Sequence, residues 1–149
     1  MVNRMDVPLE GIDVVARNDA AKRLDDLVLL AMKGMGWPVT DSLGRDGQRH
    51  YVANTEDGLR LLGEELPNGP ESWDPYTKLR DAGMLQRALG IALRPIADAL
   101  DNVIGWVHVI GWAAVGPYSV SASAHGNTEA AQCRAICECA LEIVRARRA

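Results

Sequence analysis

The chain has 149 residues, 48% hydrophobic and 24% charged, which is the length of one domain with ordinary globular usage and argues against a disordered or collagen-like protein. A net charge of -4 and a pI near 5.3 argue against broad nucleic-acid binding, because non-specific affinity for phosphates comes from a basic surface. The one basic cluster, Arg145, Arg147 and Arg148, falls at the end of a predicted helix, where cations complement the partial negative charge of the last carbonyls.

The first residues, MVNRMDVPLEGIDVV, carry Asp6, Glu10 and Asp13 where a signal peptide would be continuously apolar. Residues 1–17 show no sustained period and are expected to form an arm laid on a single domain of residues 18–149. A first helix follows, capped by Asn18 or Asp19, with Ala20, Leu24, Leu27, Val28, Ala31 and Met35 at helical spacing and Gly34 and Gly36 closing it.

The stretch VTDSLGRDGQ is turn-rich, and HYVAN reads as a short strand or an extended lead-in. His50 and Tyr51 border the loop GRDGQRHY, whose glycines match neither a phosphate loop nor a dinucleotide fingerprint. In TEDGLRLLGEEL the spacing of Leu59, Leu62 and Leu66 predicts a helix, although Gly58 and Gly63 each weaken it by about 1 kcal/mol relative to alanine. PNGPESWDP reads as a loop that ends with Asp74 as N-cap and Pro75 at the first position of a further helical region. That region is expected to run through YTKLRDAGMLQRALGIAL and to bend or restart at Pro95.

The period then changes. WVHVIGW alternates, with Trp106, His108, Ile110 and Trp112 on one side, and YSVSASA alternates serines with Tyr118, Val120, Ala122 and Ala124. Gly116-Pro117 between them suits an antiparallel hairpin spanning about 104–124. The apolar run over 104–118 includes His108, three glycines and Pro117 and falls short of the roughly 20 residues of a membrane-spanning helix. A soluble, cytoplasmic protein is expected. The last helix, TEAAQCRAICECALEIVRARR, begins at an Asn127 or Thr128 cap and has Glu129 and its arginines at the ends that suit the helix dipole. The expected fold is therefore α+β: a small antiparallel sheet covered by helices on one face, or on both as a three-layer α/β/α sandwich.

Three groups of residues invite a chemical reading. Cys133, Cys137 and Cys139 lie within seven residues, but at about 100° per residue Cys137 is about 40° from Cys133 and Cys139 about 120° away, so three thiols cannot meet one ion. They fit a buried apolar stripe with Ile136, Ala140, Ile143 and Val144, and no metal or other cofactor is expected. His125 with Ser121 or Ser123 and an acid such as Asp101 outlines a hydrolase set, but no G-x-S-x-G elbow accompanies it, and no catalytic residue is assigned. Trp106, His108 and Trp112 would form an aromatic platform for a partner if their strand face is open, and they are the candidate binding residues.

Two stretches, AICECALE and WDPYTKLRDAG, resemble the small phage-encoded proteins of the phage ABA sandwich domain family, in which A-I-C-x-A-A-L in the final helix follows a pair of strands. Ala140 keeps the second of the paired alanines and Cys139 replaces the first, while the region around Pro95 and the loop over 38–48 depart from the compact pattern. The resemblance implies a helix/sheet/helix sandwich and a phage or prophage origin, and transfers no catalytic residue. The reading is a phage or prophage accessory protein acting by protein contact as a homodimer, with a small hydrolase or ligand-binding enzyme using His125 and its neighbouring serines as the alternative.

Overall fold

A computed structural model describes residues 22–43, 49–63, 71–110 and 121–148. The expected arm over 1–17 and Trp112 lie outside the described residues.

Helix α1 covers 22–29 and widens into a π-helical turn at Leu30–Gly34, where the Met35 N–H reaches back to the Leu30 carbonyl at 2.9 Å. It buries Leu27 and Ala31, two of the apolar positions recognised from helical spacing, and Leu30 beside them. Gly36 ends it in the left-handed region (φ 75°), sending Trp37 into the core edge-on to Trp73, with ring centroids 5.2 Å apart.

The segment after Pro38 is sheet, which corrects two readings. β1 (Val39–Leu43), β2 (Arg49–Thr55) and β3 (Gly58–Leu62) form an antiparallel meander, and β4 (Ser72–Trp73) joins β3 in parallel. The turn-rich stretch thus begins as a strand, and in place of the helix expected over TEDGLRLLGEEL its described residues 55–63 form the turn and return strand of a hairpin. Thr55 pairs with Gly58 across this tight turn: its hydroxyl donates to the Gly58 carbonyl at 2.8 Å and accepts the Asp57 N–H at 3.1 Å, while Gly58 takes φ 116°. The leucine spacing fitted a helix only by counting Leu59, which the hairpin leaves 61% exposed.

The next helix is also shorter than expected at both ends. Asp74 caps a separate turn, accepting the Tyr76 N–H and the Thr77 hydroxyl with its carboxylate and the Lys78 N–H with its carbonyl, so α2 begins only at Leu79 (Leu79–Leu89). It stops at Gly90, whose left-handed backbone (φ 69°) closes the helix. Ile91–Ala97 then forms β5, not a continued helix. Pro95 sits in this edge strand opposite Trp106, where a missing N–H costs nothing in ladder bonds.

The predicted antiparallel strand pair is present, while its Gly116-Pro117 turn lies outside the described residues. β6 (Val103–Ile110) pairs antiparallel with β7 (Ser121–His125), and β5 pairs antiparallel on the other side of β6. The fold class is α+β as expected, with two sheets where one was foreseen. The final helix α3 (Glu129–Arg148) starts at Thr128, whose hydroxyl accepts the Ala131 N–H at 3.2 Å. It lies against β5, β6 and β7 on one side and against α1 and α2 on the other. Cys133, Cys137 and Cys139 are all fully buried along it, together with Ile136, Ala140 and Ile143. The opposite face of the three-stranded sheet carries exposed Ala92, Arg94, Val109, Ser121 and Ser123, so α3 covers one side.

β6 approaches β7 so closely at Gly105 that a methyl group there would stand 2.8 Å from the Ala124 carbonyl oxygen. Backbone cannot swing aside as a side chain does, so Gly105→Ala is expected to destabilise the fold by about 1–3 kcal/mol. Urea unfolding checks this, and an unchanged midpoint would mean that the strands separate freely there.

Candidate functional site

The densest polar constellation was absent from the sequence reading. Arg60 on β3 is buried, and its Nη2 donates to the Ser72 carbonyl at 2.6 Å and to both carboxylate oxygens of Asp81 at 3.0 and 3.1 Å. Asp81, fully buried on α2, also accepts the Asp74 N–H at 2.9 Å. Lys78 donates to the Ser72 hydroxyl at 2.8 Å, and Arg80 pairs with Glu71 at the exposed edge, holding the Glu71 carboxyl below its usual range. Arg23 of α1 stands 3.5 Å from the Asp74 carboxylate and 4.7 Å above the Tyr76 ring. These contacts tie β3, β4, the Asp74 turn, α2 and α1 together, and they occupy the very groups a catalyst would need exposed. Sequence patterning tracks apolar periodicity, which says nothing about an arginine and an aspartate 21 positions apart.

Beside this hub a cleft of about 320 Å³ opens above the exposed stripe of α3. Lys22 and Asp26 of α1, Tyr76, Ala122 of β7, and Arg134 and Glu138 of α3 line it. Arg145 pairs with Asp26 at 3.5 Å on its border. Burial, then the neighbouring Cys137 and Asp26, pushes the Tyr76 phenol up, and Arg23 only partly offsets this, so the hydroxyl stays protonated and able to donate.

The expected binding residues sit elsewhere. Trp106 is half-buried against Ala124, Ala131 and Ala135, and His108 is fully buried on the same strand face beneath α3. That face is packed, so these two residues do not form an open platform. Neither ring nitrogen of His108 has a hydrogen-bond partner of normal geometry. Burial pushes its pKa down to about 4, with a weak opposing influence of the Ala92 backbone, and the ring is neutral at pH 7.

No family model, curated protein or solved structure matches this chain. Its own geometry therefore carries the functional reading. Ser121, Ser123 and His125 are exposed and alternate along one face of β7, yet among the described residues no hydrogen bond or ion pair joins His125 to a serine or a carboxylate. Asp101 belongs to the β5–β6 turn. The cysteines form no disulfide; burial raises the thiols, that of Cys139 to about 11, which leaves them protonated and poorly nucleophilic. Among the described residues no group of histidine, cysteine and acid side chains is placed to hold a metal ion, and no helix is long and apolar enough to cross a membrane.

Two stability predictions follow from these buried groups. Asp81→Ala strands the Arg60 guanidinium in the interior and is expected to cost about 3–5 kcal/mol, whereas the double change Arg60→Met with Asp81→Ala should recover much of that loss. Equal urea midpoints for the single and double variants would refute a buried ion pair. For His108, the unfolded ring takes up a proton near its ordinary pKa of 6.5 while the folded ring resists down to about 4. The unfolded state therefore binds more protons in that window, and stability falls as pH drops from about 6.5 to 4, by on the order of 2–3 kcal/mol. Unfolding curves at both ends of the window should show His108→Leu losing less stability than the parent chain.

Proposed function

We propose that the chain is a phage or prophage accessory protein of the host cytoplasm that acts by protein contact, as a homodimer and without catalysis. The observation that supports this reading is the turn at residues 98–102 between β5 and β6. Asp98 accepts the N–H groups of Leu100 at 2.8 Å and Asn102 at 3.0 Å, and its own N–H donates to the Asn102 carbonyl at 3.0 Å. Those backbone donors, that of Asn102 first, hold the Asp98 carboxyl below its usual range. Asp101 adopts φ 63° to complete the turn.

A turn tied this tightly projects its apolar side chain at little entropic cost. Leu100 is 80% exposed, and Ile104, just beyond the turn, is 50% exposed. Burying a leucine stabilises an interface by about 1.5–3 kcal/mol, so a rigid apolar projection is suited to protein contact. The buried cysteines and the buried Arg60–Asp81 pair fit the same reading, since their chemistry is directed inward. The hydrolase alternative has the shared face of Ser121, Ser123 and His125 in its favour, but among the described residues no acid holds His125 as a base.

Mass measurement in solution across the micromolar range tests the dimer, and a clean monomer throughout counts against it. Leu100→Asp is expected to raise the dimer dissociation constant at least tenfold with an unchanged melting temperature. Phage genes flanking the coding sequence are the expected outcome for its origin.

A further inference from the structure

The two edges of the three-stranded sheet differ. β5 is blunted against strand addition by Arg94, Pro95 and a register irregularity between Ile96 and Ala97. β7, SASAH, has no proline, lysine or acid and an uninterrupted register over all five of its residues, and among the described residues no strand lies beyond it. The phase of its hydrogen bonding is fixed at one end, where the Gly126 N–H donates to the Ile104 carbonyl at 2.8 Å. Antiparallel ladders bond at alternate residues, so Ala124 and Ala122 turn their amides toward β6, while Ser121, Ser123 and His125 turn theirs outward.

Ala122, in the middle of this strand, lines the charged cleft. Arg134 and Glu138 lie on its α3 side, which Leu141, Glu142 and Arg145 continue; Arg145 pairs with Asp26, while among the described residues no ion pair is formed by Arg134 and Glu138. They stand one helical turn apart, about 6 Å along the axis, which is close to the roughly 6.6–6.8 Å between alternate side chains of an extended strand. An edge offering backbone donors and acceptors thus adjoins a pair of opposite charges at strand spacing.

We propose that the cleft beside β7 binds an extended segment of a partner protein, which adds to the sheet as a fourth strand and presents an acid to Arg134 and a base, two residues away, to Glu138. Main-chain bonds to the outward amides supply affinity, and the charge pair sets register and direction. This deepens the reading of the chain as a contact protein and rests on it. Leu100 belongs to the β5–β6 turn and the outward amides to β7, so a monomeric mass would leave strand addition standing, and loss of strand addition would leave the dimer standing.

The test uses the full chain, isotope-labelled, with an acetylated and amidated peptide of alternating threonines that carries one glutamate and one lysine two positions apart. At saturation, hydrogen exchange of the Ser121, Ser123 and His125 amides should slow at least tenfold, with Ala122 and Ala124 unchanged. Three results overturn the proposal: no slowing; outward amides already protected in the peptide-free chain at every dilution, which makes the chain itself the occupant; or protection that grows with protein concentration alone, which makes a second copy the occupant. Ser123→Pro removes one outward donor and should abolish binding. Should that variant misfold, Arg134→Glu decides: it should weaken the peptide at least tenfold, and replacing the peptide's glutamate with lysine should restore binding. Equal affinity for both peptides in both proteins would refute the charge register.

Discussion

The rest of the structure depends on the burial of α3 from two sides. Its residues pack under β5, β6 and β7 on one side and against α1 and α2 on the other, so a single helix supplies both walls of the core. Close approach on both sides requires small or slender side chains, and Ala131, Ala135, Cys133, Cys137, Cys139 and Ala140 provide them, with Ile136 and Ile143 filling the wider gaps. Thiols serve here as compact hydrophobes. The same burial that makes them useful for packing raises their pKa and withdraws them from chemistry.

A helix so enclosed leaves only one stripe to solvent, and that stripe holds the polar residues of the helix. Arg134, Glu138 and Arg145 therefore converge on the border between β7 and α1, and the cleft forms there as a consequence of packing. Next to the cleft the Arg60–Asp81 pair joins β3 to α2, with the Asp74 turn and Arg23 extending the link to α1. A desolvated pair of this kind adds little net stability compared with an apolar substitute, but it penalises any arrangement in which one partner is left alone. Its value lies in fixing how the four-stranded sheet meets the helices.

Local pattern and tertiary structure agree where one periodicity runs unopposed. The leucines and alanines of α1, the alternation of β6 and β7, and a cap of α3 at Asn127 or Thr128 were all legible because local spacing and tertiary environment agree. At Val39–Leu43, over residues 55–62 and at Ile91–Ala97 they conflict. Leu59, Leu62 and Leu66 repeat at helical spacing, but the turn chemistry of Thr55 and Gly58 prevails and makes a hairpin. Gly90 ends α2 in a left-handed conformation that no apolar count could weigh, and Pro95, read as a helix kink, is tolerated because its strand lies at an edge. The candidate site followed the same division. Trp106 and His108 were correctly placed on one strand face, but whether that face was open depended on where α3 docked.

By itself the sequence determined the α+β class, the strand pair that includes β6 and β7, the helical identity and capping of α3, and the inability of its three cysteines to meet one ion, because these follow from local geometry and spacing. Tertiary structure alone decided that His108 is buried without a hydrogen bond, that Arg60 finds Asp81, and that Ala122, Arg134 and Glu138 border one cleft. The physical reason is that burial and charge pairing are properties of surfaces brought together from distant parts of the chain, and periodicity describes only one element at a time.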